Sequence, residues 1–361
     1  MKRKIILHID IKTPALLLAI VMLLETTAVQ AGELPRMPEW LSQQLLTAQP
    51  ESQPEPEAEP GPEPEPESQR EPEAKSPLEP KSRPEIYSEA AIVLEAETGT
   101  VLYEKRADKV VPPASLTKVM TIHLVLEAAR EGSVSLDEQF EVPREAWARN
   151  MPPGSSLMFL GPGQHVSLRR LTEGLAIASG NDAAVAVALR LAGSVEEFVA
   201  LMNEEADRLG YEAMEYSDPA GLLATNQITA REYADFLRLH ISRWPDTLSE
   251  LYAKPGIVYP TRENFEHRMI GGSVRQYNRN PLLLEYPGVD GIKTGYIHAA
   301  GYNLAVSAER NGMRLIVVTL GAHANSAATG MRQRASDGSA LLDYGFENFA
   351  LARPERPRLE P

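Results

Sequence analysis

The chain has 361 residues, and its 36 lysines and arginines are outnumbered by 50 aspartates and glutamates, which gives a formal net charge of −14. Binding to nucleic-acid phosphates requires a basic face, so we expect no nucleic-acid partner. The chain contains no cysteine, which excludes disulfides, cysteine-ligated metals and a cysteine nucleophile.

The N-terminal residues are typical of an export signal. Residues 2–4 are basic and residues 15–24 are all apolar. Val29 and Ala31 are small residues at the two positions where a cleavage site requires them. The apolar run is too short to span a bilayer comfortably. We therefore predict a signal peptide over residues 1–31 and export to the periplasm or cell-wall space. The alternative is an uncleaved signal that tethers the chain to the membrane.

Proline and glutamate dominate the next segment. Residues 50–84 contain eleven prolines and ten glutamates. Proline removes backbone donors, like charges repel one another, and almost nothing apolar is available to bury. This composition predicts a disordered linker over residues 32–85. We place the folded domain over residues 86–350, with a short tail at 351–361.

The folded domain has strand patterns at both ends and helix patterns between them. A hairpin is predicted over residues 90–107, with its turn at Glu97-Thr98-Gly99. Helices are predicted over residues 115–130, 169–177, 182–191, 196–209 and 229–242. Later elements are predicted as strands over 289–296, 302–310 and 313–322, and a helix over 331–344. The simplest packing is an α/β (α+β) fold, in which one antiparallel sheet, completed by the N-terminal hairpin, is flanked by helices.

The first candidate for chemistry is the stretch PPASLTKVMT, in which Ser115 and Lys118 share one helix face. The helix that they begin is apolar on nearly every side and is therefore predicted to be buried. A serine hydroxyl needs a base to become a good nucleophile, and burial lowers the pKa of a lysine enough for it to serve. The alternative is that Ser115 caps the helix and Lys118 extends towards solvent.

Two further stretches contain polar residues in apolar surroundings. Ser179 and Asn181 lie in ASGNDA between two apolar helices, where both residue types also serve as helix caps. Lys293 lies in the strand DGIKTGY, where an edge lysine also discourages aggregation, and Gly295 permits a close approach to the backbone. Together with Ser115 and its lysine, the three stretches occur in the order found in penicillin-binding proteins and class A β-lactamases.

The histidines give weaker signals. His123 lies within the buried helix and is predicted to be a core residue, whereas His298 follows the Lys-Thr-Gly strand and is a candidate for substrate contact. No histidines and acids have the spacing of a zinc motif, and no Gly-x-Ser-x-Gly elbow is present. The sequence therefore implies neither a metal nor an organic cofactor.

Beyond these motifs, the chain resembles the low-molecular-mass penicillin-binding proteins of the D-alanyl-D-alanine carboxypeptidase family. The resemblance runs from about residue 86 to about residue 350. It rests on PPASLTKVMT, LAIASGNDAAVAVA, FVALMNEEADRLGY, SDPAGL and GVDGIKTGYIHAAGYNLAVSAERNGMRLIVVTLGA. It implies the penicilloyl-serine transferase, or β-lactamase-like, fold, with an all-α region beside an α/β region and a site in the cleft between them.

The resemblance also implies roles for the matched residues. Ser115 would attack the carbonyl of a terminal D-Ala–D-Ala bond, Lys118 would accept its proton, and Ser179 would pass that proton to the leaving nitrogen. Backbone N–H groups of Ser115 and Tyr296 would form the oxyanion hole. Substrate binding would fall to Asn181, Lys293, Thr294, Gly295, Tyr296 and an arginine of the last helix. Peptidoglycan stem peptides would be the substrates and β-lactams covalent inhibitors.

The arginine and the C-terminus are less closely specified by the resemblance. Counting back from LLDYGF places the arginine at Arg334, with Arg332 as the alternative because HANSAATG is longer than usual. Many relatives carry a second, β-rich domain and a terminal amphipathic helix. Because the sequence here ends in LARPERPRLEP, we expect no C-terminal membrane attachment, and we expect a monomer.

Three other functions remain open. A DD-endopeptidase that cuts wall crosslinks would use the same serine chemistry. A β-lactamase of class A adds a glutamate that activates water, and no Glu-x-x-x-Asn element lies between Ser179 and Lys293. A non-catalytic wall-binding module would have no physical reason to retain both lysines and both serines at these spacings.

Overall fold

The computed structural model describes residues 82–261, 264 and 273–352. The predicted signal peptide, nearly all of the predicted linker and the end of the predicted tail lie outside the described residues. Within the described ranges, no helix is both long enough and apolar enough to cross a membrane.

The main sheet is built from both ends of the described domain. The strands are β1 (Ala90–Glu95), β2 (Val101–Lys105), β3 (Gln139–Glu141), β4 (His165–Ser167), β5 (Gly256–Val258), β6 (Arg275–Tyr277), β7 (Val289–Ile297), β8 (Gly301–Arg310) and β9 (Met313–Ala322). Five of them form an antiparallel sheet in the order β2-β1-β9-β8-β7, and the others form two short ribbons. Because Ala90 pairs with Leu320, the N-terminal hairpin completes the sheet as predicted.

Most of the helices lie between β2 and β7 in the sequence, where they alternate with the short strands, and the last helix follows β9. They are α1 (Lys118–Arg130), α2 (Leu168–Glu173), α3 (Asn181–Ala192), α4 (Val195–Leu209), α5 (Ala230–Arg243), α6 (Leu282–Glu285) and α7 (Ala327–Ala352). Side-chain caps begin several of them: Ser194 accepts the N–H of Glu197, and Thr229 accepts the N–H of Glu232. The helix predicted over residues 229–242 therefore begins with Thr229 as its N-cap.

Both faces of the sheet are buried. Ile92 and Leu94 belong to the large apolar core shared with the helical region, whereas Ala91 and Val93 pack in a second core with Leu341 of α7 and its neighbours. Alternate side chains of a strand point to opposite faces, so one short strand serves both cores. The predicted antiparallel sheet flanked by helices is confirmed, and it places β7 at the edge beside the helical region.

Two helix predictions were wrong in their extent. The helix predicted over 169–177 ends as an α-helix at Glu173 and continues as a π-helical turn, Gly174–Ala178. Gly174 packs against Met158, whose sulfur would lie 2.2 Å from a Cβ at that position. The last helix, predicted over residues 331–344, extends over Ala327–Ala352. It begins at Ala327 because the hydroxyl of Ser326 accepts the N–H of Thr329 and caps the helix.

The segment before β1 is fastened to α7 by a single buried carboxylate. Asp337 Oδ1 accepts the N–H of Tyr87 at 2.9 Å, and Oδ2 accepts both the N–H and the hydroxyl of Ser88, at 2.8 and 2.5 Å. Only 1% of Asp337 is exposed. This carboxylate therefore fixes where the chain enters the sheet.

Candidate active site

Ser115 lies in a short 3-10 helix, Ala114–Thr117, that leads directly into α1. Neither of these helices is capped by a side-chain hydrogen bond, so Ser115 is not a helix cap. Asn303 of β8 donates to the carbonyls of Pro112 and Pro113, at 2.9 and 3.1 Å. The serine is thereby anchored to the sheet through the backbone that precedes it.

Lys118 is fully buried at the start of α1, and its amine meets three oxygen acceptors. Its Nζ lies 2.9 Å from Ser115 Oγ, 2.8 Å from Asn181 Oδ1 and 2.6 Å from the carbonyl oxygen of Ala220. Burial lowers the pKa of Lys118 to about 7. A lysine with this pKa is partly unprotonated near neutral pH and can accept a proton from the serine hydroxyl.

Ser179 and Asn181 flank the junction between the π-helical turn and α3. Ser179 has a left-handed backbone, with φ of 60°, and its hydroxyl accepts a hydrogen bond from Lys293 Nζ at 3.0 Å. The residue between them, Gly180, begins α3 without a side-chain cap. Neither polar side chain therefore caps α3, although Ser179 is the left-handed C-cap residue of the π-helical turn.

Lys293 lies on the edge strand β7, but only 2% of it is exposed. Its Nζ donates to Ser179 and, at 3.2 Å, to the carbonyl of Thr294. Burial holds the pKa of Lys293 well below its ordinary value, and the positive charge of Lys118 adds to this effect. An edge lysine that discourages aggregation would face solvent, so that alternative does not describe Lys293.

Gly295 brings β7 against the backbone of the serine segment. A Cβ at this position would lie 2.7 Å from the carbonyl oxygen of Pro113 and 3.2 Å from the backbone nitrogen of Ser115. The next residue, Tyr296, is half exposed, and its ring centroid lies 4.3 Å from that of Tyr302. The absence of a side chain at Gly295 therefore allows the backbone of β7 to lie beside Ser115.

The two candidate arginines of α7 differ in their surroundings. Arg334 is 6% exposed, lies 6.0 Å from the ring of Tyr302, and leaves its buried Nε without a hydrogen-bond partner. Burial lowers the pKa of Arg334 to about 10, and its charge contributes to the low pKa of Lys293. Arg332 is exposed and contacts Thr329 of its own helix. The structure therefore places Arg334 close enough to Lys293 to affect its pKa, and Arg332 on the outer surface.

The two histidines singled out in the sequence have different environments. His123 is buried in α1, with Nε2 2.9 Å from Glu205 and Nδ1 3.3 Å from His240, which confirms it as a core residue. Glu127 lies beside this group, and the two glutamates also pair with arginines of the surface. Both carboxylates of this group in the helical core are therefore paired with cations. His298 is exposed in the turn between β7 and β8.

Sequence reasoning missed three charged residues that act on Lys118. The carboxylates of Asp182 and Asp218 raise its pKa, and Arg279 lowers it. Arg279 donates to the carbonyl of Ala178 at 3.3 Å. For the two aspartates, the signal in the sequence was that they lie within the matched stretches: Asp182 follows Asn181 directly, and Asp218 lies within SDPAGL.

The chain is similar to known proteins in its sequence. Residues 77–324 match the family described as D-alanyl-D-alanine carboxypeptidase. The chain is similar to the D-alanyl-D-alanine carboxypeptidase DacC of Escherichia coli (strain K12), with 38% identity over 278 residues, covering 76% of this chain and 65% of the relative. It is also similar to the D-alanyl-D-alanine carboxypeptidase DacF of Bacillus subtilis (strain 168), with 31% identity, covering 73% of this chain and 63% of the relative. The chain thus spans just under two thirds of the length of these curated relatives.

Solved structures show the same fold. Penicillin binding protein 5 from Haemophilus influenzae superposes with a TM-score of 0.65 at 32% identity, covering 74% of this chain and 72% of the other. Penicillin-binding protein D2 from Listeria monocytogenes, in its ampicillin-bound form, gives a TM-score of 0.62 at 31% identity, covering 74% of this chain and 100% of the other. The predicted fold class, that of the penicillin-binding proteins, is therefore confirmed.

We predict that Gly295→Ala lowers the free energy of unfolding by about 1–3 kcal/mol, because the new methyl group would overlap the carbonyl of Pro113. Gly161→Ala is the matched control, since its Cβ would meet Gln164 at an ordinary 3.6 Å. We expect the control to change stability by less than about 0.5 kcal/mol. Urea unfolding of both variants measures the difference, and equal effects would contradict the close approach.

Proposed function

The chain belongs to the D-alanyl-D-alanine carboxypeptidase family, and from this premise we propose that it is a serine peptidase that removes the terminal D-Ala from peptidoglycan stem peptides. The observation that carries the proposal is the contact between Lys118 Nζ and Ser115 Oγ, at 2.9 Å. It joins a serine hydroxyl to a buried amine whose pKa is lowered to about 7. This pairing is what nucleophilic catalysis by serine requires.

The first step transfers a proton and forms a tetrahedral adduct, which becomes an ester when the amine leaves. Lys118 takes the hydroxyl proton of Ser115 as Oγ bonds to the carbonyl carbon of the D-Ala–D-Ala peptide bond. The resulting ammonium keeps acceptors in Asn181 and the carbonyl of Ala220. In this proposal the peptide C–N bond then breaks, and water later hydrolyses the acyl-serine.

The leaving nitrogen needs a proton, and Ser179 is placed to deliver it. Its hydroxyl accepts from Lys293 Nζ at 3.0 Å, so its own hydrogen is free to point into the cleft. The positive charge of Lys118 lowers the pKa of Lys293, so the two buried amines disfavour being charged at the same time. Ser179 gives its hydroxyl proton to the leaving nitrogen and takes a replacement from the Lys118 ammonium, which restores the base. We therefore assign proton relay to Ser179 and electrostatic support to Lys293.

Substrate binding is proposed for the β7 side of the cleft. The backbone N–H groups of Ser115 and Tyr296 would stabilise the oxyanion, and the close approach at Gly295 supports this pairing. The free carboxylate of the substrate would bind Thr294 and Arg334. The unpartnered Nε of Arg334 supports this role, because a buried N–H group without a hydrogen-bond partner is costly.

We also propose that the enzyme is exported and that β-lactams acylate it. Residues 1–31 have the composition of a signal peptide, and residues 32–85 would act as a linker before the catalytic domain. The similar protein D2 from Listeria monocytogenes has been solved with ampicillin bound. A β-lactam ring presents a carbonyl carbon to Ser115 as the peptide does, so the same acyl-serine would form.

We predict that benzylpenicillin adds covalently to the purified chain at Ser115, and that Ser115→Ala abolishes both this adduct and D-Ala release from a stem pentapeptide. Intact-mass measurement and peptide mapping locate the adduct. A long-lived adduct is expected for a carboxypeptidase, and one that quickly disappears would indicate a β-lactamase. Release of monomers from crosslinked stem peptides would indicate endopeptidase activity. A folded chain that never forms an adduct would overturn the proposal.

We predict that the acylation rate rises with pH around a midpoint near 7. Lys118 must be unprotonated to accept the serine proton, and its pKa is lowered to about 7 by burial. The rate should therefore be low below this pH and level above it. The second-order rate constant for benzylpenicillin, measured from about pH 5 to about pH 9, checks the prediction. A rate that still rises steeply at the upper end of this range would contradict a base whose pKa is lowered to about 7.

We predict that Arg334→Ala raises KM for a stem peptide with a free terminal carboxylate by about ten- to a hundredfold, the loss expected for a charge-assisted hydrogen bond. Arg332→Ala is the control, because this side chain is exposed on the same helix. Its KM should stay within about twofold of the unsubstituted value. Steady-state kinetics of D-Ala release compares them, and a larger effect at Arg332 would reverse the assignment.

A further inference from the structure

Asp218 is a buried carboxylate that belongs to none of the three motifs. Its two oxygens accept four successive backbone N–H groups, those of Ala220 (2.8 Å), Gly221 (2.7 Å), Leu222 (3.1 Å) and Leu223 (2.8 Å). We call residues 218–223 the carbonyl turn. Asp218 thus organises the turn from within, and Asn226 holds its first residue by accepting the Asp218 N–H and donating to the Asp218 carbonyl. The turn contains no helix or strand.

The carbonyl turn presses against the start of α1. The carbonyl of Ala220 accepts from Lys118 Nζ at 2.6 Å, and that of Pro219 accepts from Thr121 Oγ1 at 2.7 Å. Gly221 has a positive φ of 76°, and a Cβ there would lie 1.8 Å from the carbonyl oxygen of Ala114. The turn can therefore move little without changing the distance between the Ala220 carbonyl and the lysine amine.

We propose that Asp218 is a positioning residue for the proton transfer from Ser115 to Lys118, an inference that rests on the proposed function. During this step the Oγ–H bond breaks, a bond from hydrogen to Nζ forms, and Oγ bonds to the substrate carbon. The new ammonium then has Asn181 Oδ1 and the Ala220 carbonyl as acceptors. Asp218 fixes the second acceptor before the proton arrives, so no reorganisation is needed at that moment.

The charge of Asp218 acts in the same direction as its geometry. Three charged groups act on Lys118: Asp182 from α3, Asp218 from the carbonyl turn and Arg279 from the segment between β6 and α6. The amine of Lys293 on β7 is coupled to it as well, because the charge of Lys118 lowers the pKa of Lys293. The two carboxylates favour the protonated lysine, and Arg279 opposes it. Removing the charge of Asp218 should therefore lower the pKa of Lys118, so that the base works at lower pH.

The test compares Asp218→Asn and Asp218→Ala with the unsubstituted chain. The asparagine keeps one oxygen for the backbone N–H groups but loses the charge. We expect the pH midpoint of its acylation rate to move to lower pH by on the order of one unit. The alanine loses the acceptors as well, so its maximal acylation rate should fall by about tenfold or more, and the asparagine should restore most of it. If the alanine variant does not fold, the asparagine profile decides.

Asp337→Asn is the matched control. Asp337 is also buried and also holds backbone N–H groups, but it lies on α7 and does not contribute to the pKa of Lys118. This variant should lose stability and keep the pH profile. An unshifted Asp218→Asn profile, or an equal shift in Asp337→Asn, would overturn the role of Asp218 while leaving the proposed function intact. An unsubstituted chain that benzylpenicillin never labels would instead overturn the proposed function.

Discussion

The buried amine of Lys118 is the constraint on which the rest of the site depends. An amine removed from water needs acceptors to replace its lost hydrogen bonds. Here they come from Ser115, Asn181 and the Ala220 carbonyl, which lie far apart in the sequence. The helical region has to bring these oxygens together to bury the lysine at all. The same packing that makes the site stable also lowers the pKa of Lys118 and so makes it a base.

Two glycines and one asparagine keep the helical side and the β7 side of the site close together. Gly221 lets the carbonyl turn reach Ala114, and Gly295 lets β7 reach the backbone of Ser115. Asn303 then ties that backbone to β8. The two glycines allow close approach because they have no Cβ, and the amide of Asn303 satisfies the carbonyls that precede Ser115. These three contacts together leave the backbone of Ser115 little freedom to move.

The sequence allowed the sheet, most helices and the clustered residues of the site to be predicted, because motifs combine residue type with spacing. Ser115, Lys118 and Lys293 were found in this way. Asp218 and Arg279 were not, because they act on Lys118 through its surroundings, and no spacing rule describes that. The choice between Arg332 and Arg334 likewise depended on which side of α7 faces the sheet. The π-helical turn was missed because it depends on a tertiary contact with Met158.

The pairing of β1 with β9 determines when the site can exist during synthesis. A chain made from its N-terminus presents β1 and β2 first, but β1 pairs on one side with β9, which is made almost last. Lys293 and Arg334 arrive with the same late portion of the chain. Contacts of such large sequence separation form slowly, and a nascent domain must wait for them. Reactivity at Ser115 would therefore report that synthesis and folding are both complete, and a truncated chain would lack the positive side of its own cleft.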